Sequence, residues 1–216
     1  MENSQLMPGS IENIDNAATL AINGLHSGPT DAFWLFMSDK YVWIPAYAAV
    51  LFFLIKRLGW KKAAVMVLSI VSALVICDQV SYHVKYAVDR LRPCFNAEMI
   101  DNGLHWLENR GHGFFGFFSG HASNAFSFAI CSTMAFRNDR SHTYSAYGYG
   151  IYMWATLVAV SRIFVGKHFL GDILVGTAFG LAAGFAAGCL ARWISIRFMD
   201  RRPATAKDFF RLAVSH

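Results

Sequence analysis

Residues 173–191 read ILVGTAFGLAAGFAAGCLA, 19 positions without Asp, Glu, Lys or Arg. A run of that length and composition meets the requirement for crossing a bilayer, about 17–25 predominantly apolar residues. Working outward toward the N-terminus, four more charge-free runs follow: 143–161, 113–136, 63–77 and 41–55. The last two are short, but Lys40, Lys56 and Arg57 can snorkel around 41–55, and 63–77 continues through Gln79, Val80, Tyr82 and Val84. Five spans are therefore expected. A soluble all-α protein could bury one such helix, yet five would leave too little polar surface to dissolve the fold. The whole chain agrees: 216 residues, 55% hydrophobic and 15% charged, with a mean hydropathy of +0.35, exclude disorder.

The expected fold class is all-α: a polytopic membrane bundle of five transmembrane helices plus an N-terminal amphipathic interfacial helix. One domain spans 1–216, with an interfacial segment at 11–37, a transmembrane catalytic core at 41–194 and a basic cytoplasmic tail at 195–216. In the first segment Ile11, Ile14, Ala18, Ile22 and Leu25 recur at helical spacing. Such a helix lies on the bilayer or packs on the bundle, stops near Gly24 and Gly28-Pro29, and is followed by Phe33, Trp34 and Phe36 as anchors. The start MENSQLMPGS has neither a basic region nor an apolar stretch, so an uncleaved N-terminus is expected. Cys77, Cys94, Cys131 and Cys189 lack any C-x-x-C spacing, which points away from a zinc site or a disulfide framework.

Gly176, Gly180, Gly184 and Gly188 fall every fourth residue and share one helix face, where a second backbone can approach closely. Packing within the chain is favoured over a dimer contact, and no oligomeric state is assigned. Orientation follows from the short loops, whose basic residues collect on the cytoplasmic side. Lys56, Arg57, Lys61, Lys62, Arg137, Arg140, Arg192, Arg197, Arg201, Arg202, Lys207 and Arg211 share one side, 12 of the 19 Lys and Arg residues. The N-terminus and the 90–118 and 162–172 connections then face outward. The net charge of +5 reports this topology and calls for no nucleic-acid partner.

Against the apolar background, ionisable residues at span ends are functional candidates. Lys85 and Arg92 close the second span, Ser119-Gly120-His121 opens the third, and Ser161-Arg162, His168 and Asp172 join the fourth to the fifth. All of them fall on the outer side. Three cations and the amides of a helix start suit a dianionic phosphate. Asp172, one turn after His168, can hold one ring nitrogen and leave the other as a lone-pair donor, while His121 can exchange a proton near neutrality.

The ordered set Lys85-x6-Arg92-Pro93, Ser119-Gly120-His121 and Ser161-Arg162-x5-His168-x3-Asp172 resembles the three-part signature of the type 2 phosphatidic acid phosphatase superfamily. That superfamily also includes vanadium haloperoxidases and bacterial membrane lipid phosphatases. The likeness runs from about Ala73 to Leu190, with one departure: Phe118 stands where the family usually has proline. The resemblance implies that His168 attacks phosphorus and Asp172 orients it. It implies that His121 protonates the leaving oxygen and then activates water. Lys85, Arg92, Arg162, Ser119 and the Gly120 amide would bind the phosphate oxygens.

No carboxylate cluster has magnesium-ligand spacing, so activity without metal or other cofactor is expected. The expected function is hydrolysis of a phosphate or diphosphate from a lipid at the periplasmic face of a bacterial inner membrane, with lipid A and undecaprenyl diphosphate ahead of glycerophospholipids. A non-catalytic lipid binder or transporter is the reading from another class, disfavoured by the intact His121, His168 and Asp172. Arg90, Arg110 and Lys167 are spare cations for a second phosphate or plain interfacial anchors. His83, His105 and His112 are weaker candidates for substrate contact, and Asp78 is expected to form a structural hydrogen bond. Trp106, Phe114, Phe115, Phe117 and Phe118 suit acyl or prenyl chains.

Overall fold

The computed structural model describes residues 9–107 and 113–199. Arg110, His112 and the tail from 200 onward lie outside the described residues. Among those described, the architecture is helical throughout: α1 (Gly9–Asn23), α2 (Gly28–Ser38), α3 (Ile44–Leu58), α4 (Trp60–Val88), α5 (Ala97–Asp101), α6 (Gly120–Phe136), α7 (Ser145–Phe164) and α8 (Leu170–Phe198). A short 3-10 turn, Pro93–Phe95, separates α4 from α5.

The five charge-free runs correspond to α3, α4, α6, α7 and α8. Of these, α4 and α8 are long and apolar enough to cross a membrane by themselves. Each has 29 residues, roughly 43 Å of helix against a hydrocarbon core of about 30 Å. The run 113–136 yields a shorter helix than its length suggests, because 113–119 is spent on a non-helical connection and Ser119 caps α6.

The outer surface of the bundle is apolar, and its interior combines apolar clusters, such as Leu54, Met66, Ile70 and Phe128, with buried hydroxyls. Leu68, Val71, Val75 and Ile76 on α4, Phe52 and Phe53 on α3, and Leu174 and Leu190 on α8 are exposed, while Ser123, Ser127, Ser132 and Thr133 of α6 are buried. Ser132 and Thr133 return their hydroxyls to Ala129 O, so burial leaves those donors satisfied. An exterior of that kind belongs in lipid.

The central helix is α6, which packs against α4, α7 and α8. Its tightest neighbour is α8, along the glycine stripe. A Cβ at Gly176 would stand 2.6 Å from Ser119 O, one at Gly180 2.2 Å from Ser123 O, and one at Gly184 2.7 Å from Ser127 O. Steps of four on α8 thus meet steps of four on α6, and the stripe is an internal seam. Cys131 donates its Sγ proton to Gly184 O across the seam at 3.1 Å. All four cysteines are buried and unbridged.

At the N-terminus the structure differs from the expected single amphipathic segment. Two helices form, and Pro29 sits in the first turn of α2, where its missing N–H costs nothing. The buried stripe of α1 is polar: Asp15, Thr19 and Asn23 face inward, whereas Ile11, Ile14 and Leu25 are exposed. Of the proposed anchors, Phe33 and Phe36 are exposed, but Trp34 stacks on Phe164 at 4.1 Å.

Candidate active site

The polar end of the bundle is built from four chain segments. Asp89 turns left-handed (φ 52°) and ends α4 just after Lys85. The chain then runs extended through 90–92 and pairs antiparallel with 114–116: Arg92 N donates to Phe114 O at 2.9 Å and Gly116 N to Arg90 O at 2.9 Å. Arg92 Nε also donates to Phe115 O at 3.1 Å. Extended backbone is what the following Pro93 demands of Arg92. This small ladder holds Arg92 against Gly113 and Gly116, just before α6, and turns Arg90 toward the start of α8.

Ser119 is the N-cap of α6, its Oγ accepting from Ala122 N at 3.4 Å, while its own N–H donates to Asp172 O at 3.0 Å. The Ser119 hydroxyl proton is left to serve another acceptor. Directly before it, Phe118 is buried and packs against Phe179 of α8 at 5.2 Å; Phe118 O accepts from Ser81 Oγ at 3.2 Å. Phe118 therefore seats the start of α6 between α4 and α8. Lys85 reaches the same place, its Nζ lying 3.7 Å from where a Cβ on Gly120 would be. A lysine ammonium and a helix N-terminus, both positive, meet there.

His168 and Asp172 enter from the turn between α7 and α8. Gly166 makes that turn possible: its φ is +75°, and a Cβ there would lie 2.6 Å from Trp106 Cβ. His168 is 2% exposed, with Nδ1 3.3 Å from Asp172 Oδ2. Burial, and then the positive charges of Arg92, Arg162 and Lys85, hold the His168 imidazole well below the usual histidine range. The ring is neutral, and it has the Gly116 backbone as a hydrogen-bond partner besides Asp172. Arg162, in the last turn of α7, is buried, donates to Ser38 Oγ of α2, and offers its carbonyl to His168 N at 3.2 Å. His121, in the first turn of α6, lies within electrostatic reach of Arg162, His168 and Lys85. The structure thus gathers Lys85, Arg92, Ser119, Gly120, His121, Arg162, His168 and Asp172 at one end of the bundle.

Behind Asp172 lies a network absent from the sequence-derived set. Asp172 Oδ2 accepts from Phe169 N at 3.0 Å and Oδ1 from Arg90 Nη1 at 3.0 Å. Arg90 Nη2 continues to Asp15 Oδ2 at 2.7 Å, and its guanidinium lies 3.8 Å above the Phe169 ring. Asp15 Oδ1 and Thr19 Oγ1 accept from Gly171 N and Leu170 N at 2.7 and 3.0 Å. The first amides of α8 are therefore answered by side chains, two of them from α1. Farther along α1, Asn23 clamps His105 N and O at 2.8 Å each and Ile163 O at 2.9 Å. The signal for all three was present as polar residues at i, i+4 and i+8 on one helix.

Several secondary expectations change. Arg90 is committed to two carboxylates, so it is not a spare cation for a second phosphate. His105 contacts Asp31 at 3.0 Å and stacks on His26 at 3.7 Å, so its ring serves the α1–α2 junction. Those rings are 7° from parallel, and His26, Asp31 and His105 each bring one potential ligand atom within 4.8 Å of the others. His83 is exposed beside Tyr82. Lys167 is buried next to His168. Asp78 accepts from Asn124 Nδ2 at 2.7 Å, the structural hydrogen bond expected of it.

The profile of the PAP2 superfamily matches residues 62–198, which include every residue of that cluster. The chain belongs to the PAP2 superfamily. Among curated relatives, it is 30% identical to a lipid A 4'-phosphatase of Bacteroides thetaiotaomicron, over 91% of this chain and 85% of that one. A lipid A 4'-phosphatase of Porphyromonas gingivalis is 35% identical over 76% of this chain and 67% of its own. Two solved structures share the fold. A transmembrane PAP2-type phosphatidylglycerolphosphate phosphatase from Bacillus subtilis superposes with a TM-score of 0.67 at 18% identity, covering 91% of this chain and 92% of that one. Aquifex aeolicus LpxE gives a TM-score of 0.60 at 19% identity, covering 87% and 98%. The expected PAP2-type membrane lipid phosphatase is borne out at the level of family and enzyme class.

Proposed function

We propose that this PAP2 enzyme removes phosphate from lipid A at the periplasmic face of the inner membrane through a phosphohistidine on His168. The observation that carries the reading is the meeting of Lys85 with the start of α6 above a buried, neutral His168. Two positive ends converging on one place are relieved by an anion between them. The similarity to two lipid A 4'-phosphatases supports lipid A as the source of that anion. The five spans, the outward orientation and the single domain of 1–216 belong to the same proposal, and the distribution of Lys and Arg among the loops supports the orientation.

In the first step the lone pair of the outer His168 nitrogen attacks phosphorus and the bond to the lipid oxygen breaks. Protonated His121 gives its proton to that oxygen, and the dephosphorylated lipid leaves. Asp172, held by Arg90 and Phe169 N, fixes the ring and stabilises the positive charge that develops on it. Neutral His121 then takes a proton from water, the water oxygen bonds to phosphorus, and the P–N bond breaks to release inorganic phosphate and restore His168. Lys85, Arg92, Arg162, the Ser119 hydroxyl and the Gly120 amide hold the equatorial oxygens throughout. Phosphoryl transfer needs mainly positioning and charge stabilisation, which fixed cations supply.

Phosphate release from purified protein, with wild type and His168→Ala compared on lipid A, undecaprenyl diphosphate and phosphatidate, tests this. His168→Ala should lose at least about a thousandfold in kcat, and wild-type turnover should persist in chelator. Equal release by both proteins would remove His168 from the mechanism, and a magnesium requirement would overturn the metal-independent chemistry.

A further inference from the structure

Away from the phosphate cluster, one place among the described residues gathers side chains of the kind that ligate metal ions. His26 lies in the turn between α1 and α2, its N–H donating to Asn23 O at 3.2 Å, and Asp31 lies in the first turn of α2. His105 reaches them from the connection after α5, where Asn23 grips its N–H and its carbonyl. None of the three has a part in the hydrolysis derived above.

Their spacing suits an ion. His105 Nε2 stands 3.0 Å from Asp31 Oδ2, and His26 Nδ1 stands 3.9 Å from Asp31 Oδ1. Two ligand atoms each about 2.0–2.1 Å from a tetrahedral zinc lie roughly 3.3–3.4 Å apart, a value that the two separations bracket. Asp31 Oδ1 is buried and has no hydrogen-bond donor, and 3.9 Å is too long for His26 to act as one. A cation answers that oxygen where no N–H does. The His26 side chain is 36% exposed, so its ring can turn toward an ion arriving from solvent. Two imidazoles with one carboxylate form a donor set for zinc and its neighbours, whereas magnesium and calcium take oxygen ligands.

We propose that His26, Asp31 and His105 bind a divalent transition-metal ion, with zinc the best match, at a structural site separate from the phosphate cluster. Water completes the coordination that three protein ligands leave open. The ion joins the α1–α2 turn to the strip of chain that backs the His168 turn. Trp106, next to His105, leaves no room for a Cβ on Gly166, and Leu107 N donates to Val165 O at 3.4 Å. Asp31 and His105 are 74 positions apart, and a clip that closes a long loop removes much freedom from the unfolded chain. Binding to the folded state alone then adds stability without entering the chemistry.

The test uses the full-length, tag-free protein in detergent micelles, stripped with chelator and titrated with zinc chloride. Calorimetry should show one zinc per wild-type chain and binding weaker by about tenfold or more in His26→Ala and in His105→Ala. Zinc should raise the unfolding midpoint of wild type by about 3 °C or more and leave that of His26→Ala where it was. No zinc binding by wild type, or binding undiminished in both variants, overturns the site. Wild type alone gives a second measurement that no folding defect can imitate: X-ray absorption of the zinc complex should count two imidazole nitrogens at about 2.0–2.1 Å. A complex without imidazole ligands overturns the site. Phosphate release well below the unfolding midpoint should stay within about twofold with and without zinc. Turnover that vanishes in stripped but folded protein would place the ion in the catalytic centre and overturn its structural role.

Discussion

An aspartate–histidine pair stands beyond each end of α6. At its N-terminal end His168 lies 3.3 Å from Asp172; at its C-terminal end His142 Nδ1 lies 2.9 Å from Asp139 Oδ2. By distance alone the second is the better pair. The His142 side chain is 44% exposed, however, and its other ring nitrogen accepts from Arg57 Nη1 at 2.9 Å. Asp139 also accepts from the Ser141 and Tyr144 hydroxyls, which hold its carboxyl well below the usual carboxylate range. His168 is buried, and Lys85, Arg92 and Arg162 place positive charge around it. What separates a nucleophile from a loop tether is burial and the charge around the ring.

The sharpest way to break this comparison is to remove each histidine in turn. His168→Asn should abolish phosphate release, a loss of about a thousandfold or more, whereas His142→Asn should stay within about twofold. Comparable losses in a phosphate-release assay would mean that the Asp139–His142 pair also serves catalysis. Next in size is the network behind Asp172. Asp15→Asn takes one of the two carboxylates from Arg90 and should cost about tenfold in kcat with KM nearly unchanged, because it disturbs the placement of the nucleophile rather than substrate binding. An effect confined to KM would place Asp15 in the binding site instead.

The seam that ties the two ends together responds in stability. Gly180→Ala puts a methyl group where only 2.2 Å is available, and should lower stability by about 1–3 kcal/mol. Gly150→Ala, with nothing within 4 Å, should be neutral or stabilising by about 0.5–1 kcal/mol. Thermal unfolding of the two variants in detergent decides this, and equal midpoints would contradict the seam. Asp139→Asn gives the smallest effect and the one that depends on pH. A carboxylate with a depressed pKa contributes stability above the unfolded value of about 3.9 and loses it as pH falls toward the folded value. The difference in unfolding midpoint between wild type and Asp139→Asn should therefore be present at pH 7 and shrink below about pH 4.

The polar cluster was legible because its residues sit against an apolar background: Lys85, Arg92, His168 and Asp172 have few neutral reasons to stand at span ends. The glycine stripe was equally plain, since four glycines in steps of four have one shared face. What the sequence concealed was partnership. Arg90 reads like any other cation in KYAVDRLRP, and only the bend after Asp89 decides that it turns toward Asp15 and Asp172 while Arg92 turns toward Phe115. The α1 face was harder still, because its isoleucines advertise the bilayer. Its energetically decisive residues are Asp15, Thr19 and Asn23, whose value depends on unpaired amides and carbonyls of the chain's far half. Periodicity reports which residues share a face, and it carries no information about which face finds hydrogen-bond partners.

The tethering of α8 by α1 also sets an order of assembly. Asp15 and Thr19 are synthesised more than 150 residues before the amides of Leu170 and Gly171 that they bind. The groove on α6 that receives the α8 glycines must likewise wait for the last long helix. A nascent chain therefore carries most of its cations through insertion without a working centre. Hydrolytic competence arrives in one late event, when α8 closes against a surface to which the much earlier α1 contributes.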